Sequence, residues 1–172
     1  MKKERAMGIV RAAVAAAGLI GANPVPGSDA MILVPNQILM LVRITNVFGF
    51  PVTKQWIMSV VGSLMGTSGA TIVGRLVVSN LLKLSPVIGS AAGGAISSVT
   101  AGLLTLALGN AYIRWMEYMY ENGKGATEDW LDGANKDMLV GFFKEAMKVV
   151  KPETVEALIK NAKTFTDSAG KI

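Results

Sequence analysis

The sequence predicts an all-α protein. Small residues recur at every fourth position through two long uncharged segments, apolar residues elsewhere recur at helical spacing, and no stretch alternates as a half-buried strand does. The first row runs through the Gly89–Gly109 segment, GSAAGGAISSVTAGLLTLALG, as Gly89, Gly93, Ser97, Ala101, Thr105 and Gly109. The second lies upstream at Gly62, Gly66, Ala70 and Gly74. Glycine weakens an exposed helix by about 1 kcal/mol relative to alanine, so repeated glycines need a compensating gain. Close approach of a second backbone supplies one, as in small-xxx-small contacts between helices. Lys83-Leu84-Ser85-Pro86 sits between the rows as a corner. The expectation is a helical hairpin whose smooth faces interlock, Gly62, Gly66, Gly74, Gly89, Gly93 and Gly109 being the helix-packing positions.

The remaining elements follow in order. Residues 3–20 form a helix that Gly21 stops, and Pro24 and Pro26 stiffen the turn after it. The basic start and apolar run imitate a secretory signal, but Arg11 interrupts the run and alanine dominates over leucine. Ser28 or Asp29 caps the next helix, with Asp29 favourable to its dipole, and Pro35 kinks it. Two readings of its polar residues stand. In one, Asp29, Asn36, Gln37 and Arg43 form a buried polar cluster. In the other they are a cap, partners of the kink and a snorkelling arginine.

Gly49-Phe50-Pro51 ends that helix, Thr53 caps the first smooth helix to about residue 82, and the second runs from near Pro86 to Tyr120. Its last turns, YIRWMEYMY, resemble a membrane-interface belt and would equally suit a partner contact. Residues 1–120 are thus read as the hydrophobic domain, 121–126 as a linker, and 127–172 as an amphipathic C-terminal extension of the same domain. In the extension Asn135 caps a helix with the stripe Leu139, Phe142, Phe143, Ala146, Met147 and Val150. Pro152 opens a last helix with the stripe Val155, Leu158, Ile159, Ala162 and Phe165.

Composition narrows the function. The chain has 172 residues, 51% hydrophobic and 17% charged, with a mean hydropathy of +0.44, on the greasy side for a globular domain. It holds neither Cys nor His. That removes disulfides, thiolate metal sites, the usual general base and the usual serine-hydrolase triad. No metal, cofactor or catalytic set is expected. Neither glycine-rich stretch ends in the Gly-Lys-Ser/Thr of a phosphate loop, and Lys124 has no strand before it. Residues 1–115 carry +7 and residues 116–172 carry −2. A basic, greasy body suits anionic lipid headgroups. It does not suit nucleic acid, because the cations are dispersed and few aromatics lie among them.

The segments PVPGSDAMILVPNQILMLVRITNVFG and GATIVGRLVVSNLLKLSPVIGSAAGGAISSVTAGLLTLALGNAYI carry a family likeness. From about Gly18 to Tyr120 the chain resembles the YcjF-like, GTPase-associated helical domain family of bacteria. The matching elements are Pro24 to Asp29, Pro35 to Gln37, Gly69-Ala70, Gly74-Arg75, Ser79 to Lys83 and the Gly89–Gly109 row. Members are often fused behind a small GTPase domain or stand as membrane-associated proteins, and this chain has no GTPase domain. The resemblance implies an accessory or effector module at the cytoplasmic membrane, and it supplies no catalytic residues. The first expectation is therefore a non-enzymatic, membrane-associated helical module that self-assembles and answers to a GTPase. Residues 55–74 and 84–113 are uncharged and long enough to cross about 30 Å of hydrocarbon. Their Ser, Thr and Gly content weakens the drive to insert. A soluble homo-oligomeric interaction protein is the alternative, and a pore-forming protein a third.

Overall fold

A computed structural model of the chain describes residues 1–21, 28–53, 56–58, 60–61, 93–123, 133–151, 153–154, 156–158 and 160–161. The described residues are helical with no strand among them, so the fold is all-α. Four long helices stand out: α1 (Lys2–Gly21), α2 (Ser28–Phe48), α3 (Gly93–Glu121) and α4 (Gly133–Lys148). Helical residues also occur at 56–58, 60–61 and between 153 and 161. Helix α3 is central, with α1, α2 and α4 all packed against it, and α1 also meets α2.

Helix ends follow local chemistry. Glu4 stands in the first turn of α1, favourable to the dipole, and Gly21 is the last residue of that helix. Helix α2 continues through Pro35. Its end is a Schellman turn. Gly49 takes a left-handed φ of 82°, its N–H donates to the Asn46 carbonyl at 3.1 Å, and the Phe50 N–H reaches back to the Thr45 carbonyl at 3.3 Å. Thr53 caps the following helical segment as its position predicts, Oγ1 accepting from the Trp56 N–H at 3.2 Å. Thr53→Ala should therefore cost about 1 kcal/mol in thermal unfolding, and Thr53→Asp about nothing. Helix α4 starts at Gly133, so Asn135 lies in its first turn, buried, rather than at the cap position expected for it.

The core gathers around the C-terminal half of α3. Leu103, Tyr112, Ile113, Trp115, Met116 and Met119 are essentially inaccessible, as are Met40, Leu41 and Ile44 of α2 and Leu139 and Met147 of α4. Of the stripe expected on α4, Leu139, Phe143, Ala146 and Met147 are buried and Phe142 and Val150 half-buried. Tyr112 and Trp115 are correspondingly core residues rather than a surface belt; of the aromatic residues in that run only Tyr120 is exposed. Their rings find aromatic and aliphatic neighbours from α2 and from the segment at Trp56, and burial there removes more apolar area from water than a surface position allows. Among the described residues no helix is long and apolar enough to cross a membrane.

Candidate functional site

Helix α1 reaches α3 through small residues. Ala6, Val10, Ala13 and Ala17 form its buried stripe, each within 7% of full burial. At Gly109 the approach leaves no room for a side chain: a Cβ there would lie 2.5 and 2.7 Å from the two methyls of Val10. One end of the same contact is tied by a hydrogen bond, Ser98 Oγ donating to the Gly18 carbonyl at 2.6 Å. The close approach seen at Gly109 is thus to α1. Gly62, Gly66, Gly74 and Gly89 lie outside the described residues, and Gly93 is the first residue of α3.

The polar residues of α2 separate. Asn36 donates through Nδ2 to the Ala13 carbonyl of α1 at 3.0 Å. Gln37 is fully buried and turns to α3, its Nε2 3.4 Å from Thr105 Oγ1. Arg43 is exposed and joins neither. Asp29 belongs to the first turn of α2, and its side chain lies outside the described residues. Asn36 and Gln37 therefore stitch α2 to two different helices.

A second polar pair was not foreseen from spacing. Thr45 Oγ1 donates to the Leu41 carbonyl at 2.8 Å and lies 2.7 Å from the Tyr112 hydroxyl. The threonine has one proton, already given to Leu41, so the tyrosine donates in that bond. Burial pushes the Tyr112 pKa well above its ordinary 10.0. The unfolded chain then ionises Tyr112 first. This contribution to stability is complete below pH 10, declines as pH rises above the ordinary value, and is lost through the higher folded value. Denaturant melts between pH 9 and 11.5 should follow this decline, and Tyr112→Phe should flatten it while costing about 1 kcal/mol at pH 7.

One surface feature remains beyond these internal contacts. A cleft of about 270 Å³ opens between α1, α3 and the C-terminal helical residues. Helix α1 contributes Arg11, Val14, Ala15 and Gly18, one face at helical spacing. The opposite wall repeats that spacing with Thr154, Ala157, Leu158 and Asn161, while Ser98 and Leu106 of α3 form the floor. Leu158 leans onto Gly102 of α3, where a Cβ would stand 3.1 Å from its Cδ2. In the sequence Arg11 reads only as an interruption of an apolar run. The i, i+3, i+4, i+7 pattern around it was the available signal.

Among the described residues no group of acidic side chains could hold a metal ion. Residues 2–135 match the family described as Domain of unknown function (DUF697). The chain belongs to that family. The DUF697 span takes in α1, α2 and α3 whole and ends in the first turn of α4. Two sides of the cleft thus come from the DUF697 span and the third, Thr154 to Asn161, from beyond it. No curated protein and no solved structure matches the chain.

Proposed function

We propose that this DUF697 protein is a non-enzymatic helical binding module that works at the cytoplasmic face of the inner membrane as accessory or effector of a GTPase. The observation that carries the non-enzymatic part is the use made of its buried polar groups. Gln37, Thr45, Thr105, Tyr112 and Ser98 hold helices together, and the surface cleft is lined mainly by aliphatic and small residues. With no His or Cys in the chain, that lining lacks the common nucleophile and base pairs. The GTPase partner rests on the resemblance to the YcjF-like family. Membrane association rests on that resemblance and on the +7 charge of residues 1–115, which suits anionic headgroups. Self-association is assigned to the small-residue row at Gly62, Gly66 and Gly74 together with Gly89 and Gly93, by its spacing.

Two measurements test the reading. Cell fractionation should place the protein in the membrane pool, and a carbonate wash distinguishes surface attachment from insertion. Recovery wholly in the soluble pool would favour the homo-oligomeric interaction protein instead. Calorimetry of the purified chain with GTP should give no heat of binding, and submicromolar binding would refute an accessory role without its own nucleotide site.

A further inference from the structure

We infer that the cleft between α1, α3 and the C-terminal helical residues binds one single-chain anionic amphiphile, a medium-chain carboxylate, with Arg11 at the carboxylate end. Three observations select that ligand class. The first is shape. Arg11 and Gly18 are seven residues apart on one face of α1, so the trough is about 10 Å long at about 1.5 Å per residue. Antiparallel to it, Ser98 lies at the Gly18 end, fixed there by its bond to the Gly18 carbonyl. Arg11 therefore stands at the opposite end of the trough from that hydrogen-bonded corner.

The second observation is size. At about 270 Å³ the cleft falls just below the volume of typical small-molecule pockets, about 300–1,000 Å³. A docked protein helix or a two-chain lipid needs more room; a single extended chain does not. The third is charge. Val14, Ala15, Leu106 and Leu158 supply an apolar wall, and among the described lining residues Arg11 is the sole charge. Arg11 is exposed and makes no hydrogen bond or ion pair with another described residue. A guanidinium at the mouth of an apolar trough complements a carboxylate on an alkyl chain, which it can hold through two parallel N–H···O bonds.

This inference stands apart from the GTPase reading, since the purified chain alone is the binding species. The test is titration calorimetry of the purified full chain with decanoate and with decanol, below the concentration at which decanoate forms micelles. The expected result is saturable binding of one decanoate per chain, with decanol weaker by at least about tenfold, the scale of one charged hydrogen bond. Arg11→Gln should bring decanoate down to the decanol level and leave decanol unchanged. Ala15→Trp, which fills the trough, should remove binding of both. Equal affinity for decanoate and decanol in the parent chain overturns the proposal, as does the absence of saturable binding. Unchanged decanoate affinity in Arg11→Gln overturns it too, by placing the anion elsewhere on the basic surface. Thermal unfolding checks that each variant is folded. The comparison of the two ligands on the parent chain decides the matter without any variant.

Discussion

Gly109→Leu is expected to lose more than about 3 kcal/mol of stability, and Gly109→Ala a net loss of about 1–2 kcal/mol despite alanine's better helix propensity. The reason is local. A Cβ at position 109 would meet both Val10 methyls at 2.5 and 2.7 Å, well inside van der Waals contact. Valine is stiff about χ1 and cannot swing its branched end away without taking a poor rotamer. The strain must then pass to α1, whose whole buried stripe of Ala6, Val10, Ala13 and Ala17 faces the core. Val10→Ala should relieve it. Alone, that change removes two buried methyls and costs roughly 1–2 kcal/mol; with Gly109→Ala, the new methyl occupies the space vacated. The double mutant should therefore be more stable than the sum of the singles by about 1–3 kcal/mol, a coupling that far-UV circular dichroism in urea measures directly. Additive costs would show that α1 and α3 do not meet at this point.

That contact also marks what sequence reading captured. The fourth-position spacing announced close approach at Gly109 but could not name the partner, because a small-residue row specifies distance and not identity. The pairing expected between the two rows falls on residues outside the described ones. The α1 stripe was harder to see, since alanines and a single valine carry a weak apolar signal and Arg11 interrupts it. Helix class, the Gly49 stop and the Thr53 cap were legible because each depends on a local rule of backbone geometry or hydrogen bonding. The destination of Asn36 and Gln37 was not, because side chains adjacent in sequence point about 100° apart on a helix and so meet different neighbours. The cleft was hidden for a related reason: its walls at Arg11, Leu106 and Leu158 come from three segments far apart in the chain.

Trp115→Ala is the other substitution expected to be severe, at about 3–5 kcal/mol. Trp115 is fully buried near the end of α3, and its ring stacks on Trp56 with centroids 5.7 Å apart and planes 9° from parallel. Tyr112 completes the group, 5.8 Å from Trp115 and 5.6 Å from Trp56. Truncation removes one of the two largest side chains in the core and leaves a cavity bounded by two rigid rings that cannot collapse into it. It also strips the stacking that holds the segment after Thr53 to α3, worth about 0.5–1.5 kcal/mol beyond the buried area. The loss should therefore have two parts that separate by experiment. Trp115→Leu restores most of the apolar volume without an aromatic face, so it should recover part of the stability but leave Trp56 without its stacking partner. Urea unfolding followed by circular dichroism gives the total cost, and with the third tryptophan, Trp130, replaced by Phe, the fluorescence of Trp56 reports its surroundings independently. In Trp115→Leu that emission should shift to longer wavelength before global unfolding, as the Trp56 segment loosens ahead of the core. If emission and circular dichroism instead move together, the segment is held by aliphatic contacts to Val60 and Ile57 rather than by the stacked pair. A loss below about 1 kcal/mol for Trp115→Ala would place that ring outside the core.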